Sequence, residues 1–137
     1  MRLKEILQAG IWRERVSSEF YKEMAKKAPQ DLKLLLDYLS MEEIQHEKYL
    51  KSLYKSLFRE EPEEIGILGD IELPDFEVKT LEELIEIGIE KEKESKRYYM
   101  ELFCQIDSWE EREKIVELIN FENDHIKKLE RAKNKEV

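Results

Sequence analysis

Apolar residues recur along this chain at steps of three and four, the spacing that gathers side chains on one face of an α-helix. The clearest run is Leu32, Leu36, Leu39, Glu43, His46, Leu50, Leu53 and Leu57, a single seam with a carboxylate and an imidazole at its centre. The pattern predicts four helices, over about 3–27, 31–58, 80–105 and 108–131. Ala28-Pro29 stops the first, because proline cannot continue a helix and biases the residue before it away from one. Asp31 is the expected cap of the second. Thr80-Leu81-Glu82-Glu83 reads as a capping box that opens the third helix. Asp107 and Ser108, with Glu111, read as a second box for the fourth, which is expected to fray in the charged tail after about Arg131.

Between the second and third helices lies the one long connection, about 59–79, which contains Pro62, Gly66, Gly69 and Pro74. Its Ile65, Ile67, Leu68, Ile71, Leu73, Phe76 and Val78 are too many apolar residues for a free linker, so it is expected to lie against the helices. A helix of about 27 residues is roughly 40 Å long, and about 20 extended residues reach about 65 Å. The connection can therefore run the full length of a bundle and start the third helix at the end where the second began. The expected fold is all-α, a single-domain four-helix bundle over residues 1–137 with one long crossover.

The two halves repeat. At an offset of 78, Leu3, Leu7, Gly10, Glu14, Ser17 and Tyr21 return as Leu81, Ile85, Gly88, Glu92, Ser95 and Tyr99. At an offset of 79, Leu39, Glu43, His46 and Leu50 return as Leu118, Glu122, His125 and Leu129. The chain is a duplicated helical hairpin, and each copy aims one Glu and one Glu-x-x-His at the core. Each of the four glutamates lies near the middle of its helix, so all meet at one level, and the repeat implies a pseudo-two-fold axis through them. Packing alone explains a repeated Leu or Gly, but it supplies no reason to repeat a buried Glu. Unpaired buried carboxylates cost several kcal/mol each unless they are protonated, paired or bound to a cation. Four carboxylates at −1 are balanced by two divalent ions at +2, and His46 and His125 are the only histidines in the chain.

Composition narrows the function further. With 137 residues and only four Gly and three Pro, the chain suits one helical domain with a real core. A net charge of −9, with basic residues interspersed among Glu, argues against a nucleic-acid partner, which needs a concentrated basic face. There is no apolar run long enough to span a membrane and no secretory signal, so the expected location is cytoplasmic, with no membrane partner. The single cysteine, Cys104, excludes an internal disulfide and a four-cysteine metal module within this chain, and it reads as a small core or boundary residue.

One Glu from each of two helices and Glu-x-x-His from each of the other two form the constellation of ferritin-like di-iron carboxylate proteins. The chain resembles that superfamily over all four helices, and within it is most similar to the rubrerythrins. The particular echoes are Glu14 followed by Phe20-Tyr21, Glu92 followed by Tyr98-Tyr99, and Glu43-Ile44-Gln45-His46 matched by Glu122-Asn123-Asp124-His125.

The resemblance implies that Glu43 and Glu122 bridge two ions, that His46 and His125 each cap one, and that Glu14 and Glu92 are terminal ligands. Oxygen-rich ligation with one imidazole per ion suits iron or manganese, with zinc as a redox-silent alternative. Tyr21 and Tyr99 resemble the family tyrosines that hydrogen-bond ligating carboxylates; read without the family, they are buried aromatics with satisfied hydroxyls. Gly10, Gly88, Ser17 and Ser95 either leave room beside the ions or permit close helix packing. Rubrerythrins generally carry a further Glu where this chain has Ser95, and their rubredoxin-like electron donor is absent here; Glu90 and Glu94 read as solvated. The implied activity is reduction of hydrogen peroxide or dioxygen with electrons from an external donor protein, in a homodimer. The rivals are a ferroxidase that stores or delivers iron, and a bundle whose redox-silent metal is purely structural.

Overall fold

Helices α1 (Leu3–Ala25), α2 (Gln30–Phe58), α3 (Leu81–Gln105) and α4 (Trp109–Glu136) form this computed structural model, which describes residues 2–63, 73–77 and 79–136. The expected four-helix bundle is observed, and its helix ends differ from the sequence expectation in instructive ways. α2 begins one residue early, with Pro29 as its N-cap at φ −66° and ψ 162°, so Asp31 lies in the first turn rather than capping it. Proline suits this edge because its missing N–H costs no helical hydrogen bond there. At α3 the capping box is complete: Glu83 N–H donates to Thr80 Oγ1 at 3.1 Å and Thr80 N–H donates to Glu83 Oε1 at 2.8 Å.

At α4 only half of the expected box forms. Glu111 N–H donates to Ser108 Oγ at 3.5 Å, but the Glu111 carboxylate is taken by the hydroxyl of Tyr49. Nor does α4 fray after Arg131. It continues to Glu136, with Ala132 packed on the core and Lys133 paired with Glu86 of α3. The α2 seam is buried from Leu32 to Leu53, but Leu57 is exposed, and Phe58 packs inward instead. Cys104 is exposed rather than in the core, because its neighbours Leu102 and Ile106 are the residues that turn inward. α2 ends at Arg59, whose left-handed φ of 55° lets its N–H reach Lys55 O at 2.9 Å.

Both described ends of the crossover are anchored as a full-length traverse requires. Gln8, near the start of α1, exchanges hydrogen bonds with the backbone of Glu63. At the opposite end, Lys27 donates to the carbonyls of Phe76 and Lys79. Leu73 and Phe76 pack on the core, Phe76 with its ring 5.9 Å from Phe20. Ile65, Gly66, Ile67, Leu68, Gly69, Ile71 and Val78 lie outside the described residues. No helix among the described residues is long and apolar enough to cross a membrane.

Two hairpins, α1/α2 and α3/α4, meet mainly along α1 and α3, whereas α2 and α4 make little contact. The core is divided. One apolar cluster includes Leu7, Leu50, Leu53, Leu102, Ile115 and Leu118; the other includes Phe20, Met24, Leu36, Leu39, Ile85 and Leu129. Between these clusters runs a layer of buried polar side chains.

Candidate metal centre

All six residues singled out by the repeat converge in that polar layer. Glu14, Glu43, His46, Glu92, Glu122 and His125 are each at least 97% buried. They fall into two groups whose donor atoms lie within 4.8 Å of one another, Glu14 with Glu43 and His46, and Glu92 with Glu43, Glu122 and His125. His46 Nδ1 stands 3.4 Å from Glu14 Oε2 and 3.2 Å from Glu122 Oε1, with Glu43 Oε1 at 4.0 Å. His125 Nδ1 stands 3.3 Å from Glu92 Oε2 and 3.4 Å from Glu43 Oε1, with Glu122 Oε1 at 3.8 Å. Each imidazole thus faces one glutamate of its own hairpin's first helix and the Glu-x-x-His glutamate of the opposite hairpin. The pseudo-two-fold expected from the repeat is present in the distances. The two rings lie nearly parallel, 16° apart with centroids separated by 6.2 Å.

Tyr21 and Tyr99 fasten the two terminal carboxylates, and they do so across the repeat. Tyr99 of α3 donates to Glu14 Oε1 of α1 at 2.7 Å, while Tyr21 of α1 donates to Glu92 Oε1 of α3 at 2.7 Å. In both glutamates Oε1 is held by a tyrosine and Oε2 is turned toward a histidine. Burial, together with the neighbouring carboxylates, pushes both hydroxyls well above the usual tyrosine pKa, so they act as hydrogen-bond donors.

The glycines serve these rings. A Cβ on Gly10 would lie 2.0 Å from the Tyr98 hydroxyl oxygen, and one on Gly88 would lie 3.2 Å from the Tyr21 ring. Their absent side chains make room for aromatic packing between α1 and α3. Glu90 and Glu94 are exposed, as expected, and Glu94 pairs with Arg13.

The charge state is set by mutual crowding. Burial, then the charges of Glu122, Glu14 and Glu92, hold the Glu43 carboxyl well above the ordinary glutamate range. Burial and the Glu92 charge do the same to Glu122. Glu14 goes the other way: burial opposes its charge, but Glu43, His46 and the Tyr99 hydroxyl together favour ionisation and bring it below the usual value.

Whether a metal pair fits these residues is decided by their unpaired atoms. Glu14 Oε2, both oxygens of Glu43 and of Glu122, both nitrogens of His46 and Nε2 of His125 are buried without a hydrogen-bond partner. Among the described residues the only other such side-chain atom is Arg13 Nε. At about 1–3 kcal/mol for each unsatisfied group, this set alone would offset most of the net stability of a typical domain, about 5–15 kcal/mol. Carboxylate oxygens with one imidazole nitrogen per group form the donor set of a divalent first-row metal, and two such ions neutralise four carboxylates. The residues fit the group.

Some neighbours lay beyond reach of the sequence pattern. Tyr38 sits edge-on to His125, centroids 6.3 Å apart, and Phe121 lies 6.1 Å from His46. Both are off the apolar seam of their own helices, so periodicity places them on the outside. Glu47 is buried beside His46, held by a bidentate contact from Arg15 at 3.0 and 2.8 Å and by Lys51 at 3.0 Å. The i, i+4 spacing of Glu47 and Lys51 is a readable signal, but the partner on α1 is not.

A four-helix bundle with a buried carboxylate–histidine layer between two apolar clusters defines the class: a ferritin-like helical protein with a candidate two-ion site. The family model of rubrerythrin matches residues 5–133, and the chain belongs to the rubrerythrin family. Two solved structures share its fold. A hypothetical protein from Pyrococcus furiosus superposes with a TM-score of 0.83 at 23% identity, covering 98% of this chain and 89% of that one. A candidate ferritin-like diiron-carboxylate protein from Thermotoga maritima superposes with a TM-score of 0.82 at 21% identity, covering 100% of this chain and 97% of that one. No curated protein matches.

Proposed function

We propose that this chain is a di-iron oxidoreductase of the rubrerythrin type, which reduces hydrogen peroxide or dioxygen with electrons from an external donor protein in the cytoplasm. The observation that carries the reading is the set of unpartnered, buried donor atoms on Glu14, Glu43, His46, Glu122 and His125, gathered at one level of the bundle. Glu43 and Glu122 would be shared by the two ions, since an oxygen of each lies within 4.0 Å of both histidine Nδ1 atoms. Glu14 with His46 would hold one ion, and Glu92 with His125 the other.

When bound, an iron pair supplies Lewis acidity and one-electron redox steps, two of which, with two protons, convert one peroxide to two waters. The chain's own residues orient and insulate that chemistry. Tyr99 and Tyr21 hold one oxygen of Glu14 and of Glu92, which leaves the other oxygen of each aimed inward. The apolar clusters above and below keep bulk water from the layer. Burial and crowding raise the pKa of the Glu43 and Glu122 carboxyls, so cation binding at these residues would be coupled to proton release. Support for a homodimer comes from Leu34 and Met41, exposed apolar residues on α2 that a second copy would cover.

The test is anaerobic loading with Fe(II), followed by metal analysis and stopped-flow mixing with hydrogen peroxide. Two irons per chain, oxidised faster than free Fe(II), are expected. Oxidation no faster than free iron would remove the enzymatic reading, and assembly into a large shell would favour storage instead.

A further inference from the structure

The two imidazoles are not equally covered. Where α2 and α4 make little contact, a groove of about 390 Å³ opens, with His46 and Phe121 in its lining and Lys48, Lys114 and Glu42 beside them. That volume holds several waters, at about 30 Å³ each. In both histidines Nδ1 faces the carboxylates and Nε2 is buried without a partner, but it is His46 that lines this groove. A ring nitrogen turned toward a cation carries no proton, so a neutral His46 has its proton on Nε2, and ligating imidazoles normally give that N–H to an acceptor. None of the described residues accepts it. An acceptor atom arriving through the groove can.

The His125 side is built differently. His125 is 0% exposed, and the ring of Tyr38 lies edge-on against it at 85°. Tyr38 is itself clamped: Lys128 Nζ lies 4.7 Å from its ring centroid and is tied to Asp124 at 2.9 Å. Phe121 has no such clamp among the described residues. Its ring lies tilted against His46 and lines the groove.

The geometry points to one-ended access: small exogenous ligands reach the centre through the α2/α4 groove, past Phe121 to the His46 side, and Tyr38 seals the His125 side. This rests on reading the six residues as metal ligands. Phe121 is then a gating residue, and small molecules with an acceptor atom are the class it admits.

The experiment uses Co(II), a visible and redox-quiet probe, with azide as the small ligand followed by stopped-flow absorbance. Phe121→Ala should speed azide association and dissociation together by severalfold, and Phe121→Trp should slow both. The equilibrium constant should stay unchanged in each, since a gate alters rates and not end states. Tyr38→Trp, which enlarges a cover that is already shut, should leave both rates at the wild-type value, and Tyr38→Ala should open a second route and speed both. Rates indifferent to Phe121, a slowing by Tyr38→Trp as large as that by Phe121→Trp, or a cobalt spectrum that azide does not change would each overturn the route. If Phe121→Trp fails to take up cobalt, Phe121→Ala still decides the question. Wild-type protein that binds no cobalt at all removes the metal reading and the route with it, an outcome distinct from the others.

Discussion

Replacing Glu43 and Glu122 together by glutamine should make the protein more stable without metal and less stable with it. The reasoning starts from the polar layer, where the two carboxyls are buried and are held above the ordinary glutamate range by burial and by neighbouring charges. A carboxyl whose folded pKa is raised contributes stability below its unfolded value, near 4.5, and loses it as pH rises toward the folded value. Every tenfold loss of acidity on folding is worth about 1.4 kcal/mol. The amide keeps the shape but carries no charge, so in chelator the variant should gain on wild type as pH rises from about 5 toward the folded value.

With metal the order reverses. Each ion at a hundredfold excess over its Kd stabilises by about 2.7 kcal/mol, so two sites give about 5 kcal/mol. For a chain of this size, at roughly 3–5 °C per kcal/mol, Tm should rise by about 15–25 °C. Glutamine cannot bridge two cations as a carboxylate does, so most of that rise should vanish. Calorimetry in chelator and in Co(II), at pH 5, 6.5 and 8, reads both effects. A double variant that keeps the full metal-dependent rise, or that does not gain on wild type in chelator as pH increases, would refute the reasoning.

Three further outcomes follow from the packing around the site. Tyr99→Phe and Tyr21→Phe each free one carboxylate oxygen from its 2.7 Å hydrogen bond, and should each weaken Co(II) binding about 10–100-fold; equal affinities in a titration would count against the fastening role. Gly10→Ala should displace Tyr98 and its 2.6 Å hydrogen bond to Ile6 O, costing about 1–3 kcal/mol in urea denaturation. Gly88→Ala, where the nearest contact would be 3.2 Å, should cost less, and the reverse order would contradict the packing account. Thr80→Ala removes the cap of α3 and should cost about 1 kcal/mol by the same measurement, a loss that the intact box at Glu83 makes observable.

Much of this protein is readable from spacing alone, because a helix turns by the same angle at every residue and its buried face is a local property. The repeat at offsets of 78 and 79 therefore located all six inward donors before any helix was placed against another. The capping box at Thr80 and the stop at Pro29 are local for the same reason, since each involves atoms within a few residues of chain.

What depends on how one helix is rotated against the next was decided only by the assembled bundle. The tyrosines reach across to the opposite hairpin's glutamate, Glu111 is drawn from its own cap to Tyr49, and Gly10 faces Tyr98 rather than an ion. The α2/α4 groove and the unequal covers over His46 and His125 are of this kind as well. Periodicity states which side of a helix is buried, but a partner more than 30 residues away is selected by where two helix axes pass and how far apart they stand.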